Sequence, residues 1–206
     1  MNKIRLLAVT CLTCCSLYAQ KPIDATKQIE YIDLIHLSHT DYGYTDNPDI
    51  AHELHERYID IGIDAVLESV NDQSKPTFCW TAEALASVYE WWQDASPSRR
   101  KDLLKAVKSK QFEITAAPFN VNPLHNGTQI EKMLNWIPED LWKSFQPEVA
   151  MQNDVNGFPR ALVSGLMDKG IRYFWSGLNL HWGGIFIHRL MPFGGKCRMA
   201  VRHLYG

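Results

Sequence analysis

Three places in the chain carry side chains able to bind a metal ion or act on a substrate. Each follows an apolar, strand-like run. The first is HLSHTDYGYT, residues 36–45, where His39 and Asp41 form an H-x-D pair. Two residues apart in an extended segment, their side chains leave the backbone on the same side. An imidazole nitrogen and a carboxylate oxygen are ordinary zinc ligands. By itself an H-x-D pair is common, and a strand-end histidine bonded to backbone is its usual meaning. The second place is Glu83 in WTAEA, where a glutamate in the first turn of a helix is favoured by the macrodipole alone. The third is Asp154 in MQNDVNGF, ahead of Asn156-Gly157. It reads as an Asp-capped turn, or as the third oxygen ligand that His39 and Asp41 need to close a metal site.

Other patterns carry less chemistry. HELHE (52–56) has Glu56 where a zinc-protease helix needs its second histidine, so His52 and His55 read as a solvated helix face. No G-x-G-x-x-G or P-loop occurs. Asn126 in NGT is a glycosylation acceptor only in a eukaryotic secretory route. Trp91, Trp92, Trp136 and Trp142 fall at helical spacings and read as packing rather than a sugar platform. His181 in NLHWGG is a further candidate for the same rim, not counted among the site residues.

The elements that must position these groups alternate along the chain. Residues 27–39 read as a strand. Asn47 and Pro48 then make a cap-and-proline start for a helix from Asp49 to about Ser69. A strand is expected over 76–80 and a helix over 83–95. Ser96 and Pro97 repeat the start signal for a helix reaching about Lys110. Further strands are expected over 112–118, 148–154 and 172–177. Helical spacing covers 129–145, bent at Pro138, and 159–170, closed by Gly170. Alternating strands and helices argue a mainly parallel sheet with right-handed crossovers, either a barrel or an open doubly wound sheet. In both, functional groups collect at the C-terminal ends of strands. The pattern offers at most five strand–helix units.

Composition bounds the rest. The 206 residues are 46% hydrophobic and 21% charged, with a formal net charge of -2. These values fit a globular domain and do not imply a basic nucleic-acid surface. Residues 1–19 follow the plan of a secretory signal peptide: basic MNKIR, an uncharged apolar run, and Ala19 at the expected cleavage point. The mature chain is expected to be periplasmic or secreted, without stable membrane insertion. Lipoprotein anchoring through Cys11, Cys14 or Cys15 is the alternative. With those three removed, Cys79 and Cys197 offer neither a disulfide framework nor a Cys-rich zinc site. No acidic residue follows Asp168, whereas six basic ones do, and residues 194–206 lack periodicity. That stretch reads as a basic tail, or as the mark of a chain cut short or shifted in frame.

The order of the motifs resembles the N-terminal catalytic domain of glycoside hydrolase family 38, the α-mannosidases, and in particular its divergent bacterial relatives. The landmarks are HLSHTDYGYT, FCWTAEALASVYEWW, SRRKDLLKAVKSKQFEITAAPFNVNP and MQNDVNGFPRALVSGLMDKGIRYFWSG. The resemblance implies a seven-stranded α/β barrel of the glycoside hydrolase/deacetylase type, of which residues 20–193 would form an incomplete part. It implies that His39, Asp41 and Asp154 bind zinc, that Asp154 is also the nucleophile, and that Glu83 and Tyr44 contact a glycan substrate. The implied function is zinc-dependent, retaining hydrolysis of α-mannosides or related glycans. The chain departs from the mannosidase pattern at Thr40, Tyr42, Tyr44, Val155 and Asn156, and NVNP (120–123) lacks that family's acidic residues. The family's fourth zinc ligand and its acid/base carboxylate lie beyond the matched region. A metal-dependent polysaccharide deacetylase and a non-catalytic carbohydrate-binding remnant are the alternatives. The deacetylase would need an H-x-x-x-H pair, which is absent.

Overall fold

A computed structural model of the protein describes residues 34, 36–72, 74, 77–177, 179 and 198–199. The chain divides into two units, Met1–Leu34 and Ile35–Gly206. All of the elements described belong to the second. The expected signal peptide, the start of the first expected strand, His181 and most of the 194–206 stretch lie outside the described residues.

The described residues form six short strands and six helices, in the order β1 (His36–Ser38), α1 (Pro48–Asn71), β2 (Trp80–Ala82), α2 (Leu85–Asp94), α3 (Pro97–Lys108), β3 (Phe112–Ile114), α4 (Gly127–Trp136), α5 (Glu139–Phe145), β4 (Val149–Gln152), α6 (Arg160–Asp168), β5 (Tyr173–Ser176) and β6 (Arg198–Met199). Every strand pairing is parallel. The strands form two three-stranded sheets, ordered β1-β2-β3 and β4-β5-β6. One backbone bond links them, from the Ala116 N–H to the Val149 carbonyl at 2.8 Å. Among the described residues the sheets do not close into a barrel. No described helix is long and apolar enough to cross a membrane.

The helix starts follow local chemistry. Asn47 accepts from the Asp49 N–H, with Pro48 in the first turn. Ser96 accepts from the Arg99 N–H, ahead of Pro97. Each side-chain oxygen satisfies one of the N–H groups that a helix start leaves without a partner. Asn126 and Gln129 form a reciprocal capping box at the start of α4. Pro138 separates α4 from α5, since a proline ring cannot continue the helix before it. Gly170 stands at φ +86° just past α6, a conformation that suits glycine.

Strand boundaries differ more from expectation. The expected strand at 76–80 pairs instead over 80–82, and the expected 112–118 strand pairs only over 112–114. Thr115 still bonds to Ala82, but Ala117 and Pro118 then turn their carbonyls to the Leu85 and Ala86 N–H groups. Those loop carbonyls cap α2, whose N-cap residue Ala84 offers no side-chain bond. The core lies between the sheets and the helices, with Phe112 and Ile114 packed among Ile63, Leu85, Leu103 and Phe145. Trp91 and Trp142 are buried, whereas Trp136 is 40% exposed, stacked on Phe119.

Candidate metal centre

The polar groups of interest all stand just past strand ends, as parallel topology requires. His39 and Asp41 follow β1, Glu83 follows β2, and Asp154 follows β4. Asp154, from the second sheet, stands at the same place as the H-x-D pair from the first. His39 Nε2 lies 3.5 Å from Asp41 Oδ1 and 3.8 Å from Asp154 Oδ2. One ligand atom from each residue lies within 4.8 Å of the others. Asp154 sits in the left-handed region at φ +57°, which aspartate tolerates better than most residues.

Glu83 occupies a different position from the ligand atoms. Its residue is only 6% exposed. Its carboxylate faces the other ring nitrogen of His39, with Oε1 at 2.7 Å and Oε2 at 2.8 Å from Nδ1. A carboxylate only accepts, so Nδ1 carries the proton and Nε2 is left for the opposite side. This bond is the largest influence on His39 and raises its pKa above the ordinary value. Burial opposes it, and the charges of Glu83, Asp41 and Asp154 add to it. An imidazole ringed by carboxylates is a place where a cation is favoured.

The donor set fits zinc. A tetrahedral zinc with bonds of about 2.0–2.1 Å holds neighbouring ligand atoms roughly 3.3 Å apart. The distances of 3.5 and 3.8 Å from Nε2 are close to that edge. One imidazole nitrogen and two carboxylate oxygens make an ordinary zinc set, and the carboxylate behind Nδ1 is the usual second partner of a metal-bound histidine. The carboxylates of Asp41 and Asp154 are each 42% exposed, so the ligand side is open to solvent while the Glu83 side is closed.

Several residues around the site were not evident as participants in the sequence. Asn120 donates from Nδ2 to Glu83 Oε1 at 2.9 Å and accepts the Asn153 N–H at 3.0 Å. Thr115 Oγ1 donates to the Glu83 carbonyl. His55 does not simply face solvent: its Nε2 meets the Thr40 carbonyl at 3.0 Å, between the two H-x-D residues. Its Nδ1 meets the Tyr42 hydroxyl at 3.1 Å, and Tyr42 donates to Glu90 at 2.8 Å. Burial pushes the His55 pKa down and the Tyr42 hydroxyl up. The signal available for Asn120 was its place beyond a strand end, like the other site residues.

Remaining candidates sit apart. His36 lies within β1 and stacks on Phe78 at 4.7 Å. Tyr44 is 90% exposed. A second group of metal-capable residues, His52, Glu56 and Asp94, lies on the faces of α1 and α2. A cavity of about 220 Å3 opens beside His39, lined also by Asp41, Glu83, Phe119 and Asn120.

The site and the motifs around it lie in a segment with known relatives. The model of the glycosyl hydrolases family 38 N-terminal domain matches residues 31–184. A curated protein, "Alpha-mannosidase 2" of Arabidopsis thaliana, is 26% identical over 184 aligned residues, which cover 76% of this chain. The chain spans 15% of the length of that relative.

Proposed function

The chain belongs to glycosyl hydrolases family 38, through its N-terminal domain, and from that premise we propose that it is part of a zinc-dependent retaining glycoside hydrolase acting on α-mannosides or related glycans. The observation that carries the proposal is the convergence of His39, Asp41 and Asp154 within 4.8 Å, from two strand ends far apart in the chain. We further propose that the two parallel sheets contribute strands to a barrel, and that residues 1–19 direct export.

In this reading His39 Nε2, Asp41 and Asp154 would hold a zinc ion, which when bound would supply positive charge to orient sugar hydroxyls and the attacking carboxylate. Asp154 attacks the anomeric carbon, forming a glycosyl–carboxylate ester as the leaving oxygen departs with a proton. Its exposed, left-handed position at the strand end leaves the carboxylate open to a sugar. Glu83, expected to touch substrate, directs its carboxylate to His39 and Asn120. We therefore assign it to holding the imidazole with Nε2 outward. Tyr44, 90% exposed and three residues past Asp41 in the chain, is a ring available to stack on a sugar. Asp41 and Glu83 are committed to the metal site, so neither is assigned as the acid that protonates the leaving oxygen.

The test is the zinc content of the purified full chain against a His39→Ala/Asp41→Ala variant. Zinc bound in the wild type and lost in the variant is expected; equal zinc in both refutes the site. Hydrolysis of an aryl α-mannoside that disappears in Asp154→Ala supports the glycosidase reading and rules out a non-catalytic remnant.

A further inference from the structure

The two halves of the metal site belong to different strands, and something must fix their spacing. His39 and Asp41 leave β1, whereas Asp154 leaves β4. One side chain touches the support of both halves. Asn120 Nδ2 donates to Glu83 Oε1 at 2.9 Å, the oxygen that lies 2.7 Å from His39 Nδ1. Asn120 Oδ1 accepts the backbone N–H of Asn153 at 3.0 Å, one residue before Asp154. The amide thus uses its donor on one half and its acceptor on the other.

Asn120 is itself held from both sides. The Gln152 side chain is fully buried, and its Oε1 accepts the Val121 N–H at 2.8 Å. Its Nε2 donates to the Phe119 carbonyl at 2.8 Å and to the Met151 carbonyl at 3.0 Å. The backbone on each side of Asn120 is therefore fastened to the end of β4. Asp154, at φ +57°, has no regular strand bonds to orient it, so its direction depends on how the preceding peptide is fixed.

We propose that Asn120 is a positioning residue that couples the two halves of the metal centre, setting the distance between Asp154 and His39. The inference rests on the zinc reading above and adds to it a residue that touches no ligand atom. Groups that support metal ligands without binding the ion typically change affinity by about 10- to 100-fold when removed.

Two variants of the full chain test it. Asn120→Leu keeps a similar shape and removes both bonds. Ile130→Val trims the core in α4, at a residue outside the cavity lining. Zinc dissociation constants are measured by chelator competition, and amide hydrogen exchange is followed at Asn153. Asn120→Leu is expected to weaken zinc about 10- to 100-fold and to speed exchange at Asn153. Ile130→Val is expected to lower the melting temperature and leave both readouts unchanged. Unchanged zinc affinity in Asn120→Leu overturns the proposal, as does an equal affinity loss in Ile130→Val. A wild-type chain that takes up no zinc refutes the zinc reading instead. Asn120 is then judged by exchange at Asn153, where equal rates in wild type and Asn120→Leu overturn its role.

Discussion

Replacing Glu83 by glutamine changes little volume and removes one charge from behind His39. In the native protein both Glu83 oxygens lie within 2.8 Å of Nδ1, in a site where that side chain is 5% exposed. A hydrogen bond to a charged group contributes about 1.5–3 kcal/mol. At 1.4 kcal/mol per decade, losing it corresponds to roughly 10- to 150-fold in an equilibrium constant. Part of that energy also reaches the metal-free protein, so the lower half of the range is the better expectation. Glutamine adds a second difficulty, since its NH2 group would face the Nδ1 proton wherever it replaces Oε2. The imidazole must then tilt or exchange tautomers, and either moves Nε2 away from Asp41 and Asp154. Zinc affinity of Glu83→Gln should fall about 10- to 50-fold in chelator competition, less than the loss in Asp154→Ala, which deletes a ligand. Affinity within about twofold of wild type would refute Glu83 as the group that holds His39 for the metal.

Two further outcomes follow from the packing around the site. A Cβ at Gly62 in α1 would lie 2.9 Å from Trp80 Cγ, against the rigid face of an indole. Overpacking of about 1–3 kcal/mol outweighs the helix-propensity gain of up to about 1 kcal/mol. Gly62→Ala should therefore lower the urea midpoint, and a raised midpoint would contradict the close contact. His55 has a lowered pKa because burial disfavours its charged form. The unfolded chain then binds a proton that the folded chain resists. Stability should be unaffected above the ordinary histidine value of about 6.5 and should fall as pH drops from there through the lowered value. His55→Gln should flatten that part of a stability–pH curve, and an unchanged slope would contradict the burial argument.

Local chemistry was legible where neighbours in sequence are also neighbours in space. Asn47-Pro48 and Ser96-Pro97 start helices where their side chains say they should, and Pro138 and Gly170 end them. These outcomes depend on bonds spanning two to four residues, so no tertiary information was needed. Strand ends were less legible, because a strand stops where its partner stops. Residues 115–118 continue an apolar run, yet after Thr115 their carbonyls turn to the start of α2. His55 shows the same limit for faces. Its spacing with His52 fits a wet stripe, but the Thr40 carbonyl lies over that stripe.

The sequence by itself determined the ligand types and the order of the motifs. H-x-D after an apolar run puts two metal-capable groups on one side of a strand end, and Asp154 after another such run supplies a third. The tertiary structure decided which atoms meet. Parallel pairing of β1 with β2 turns Glu83 onto His39 Nδ1 and leaves Nε2 for Asp41 and Asp154. It also placed Asn120, which carries no motif, between Glu83 and the peptide before Asp154. A ligand's identity is a property of one residue. Its direction is set by whichever groups the sheet brings behind it, and those come from other strands.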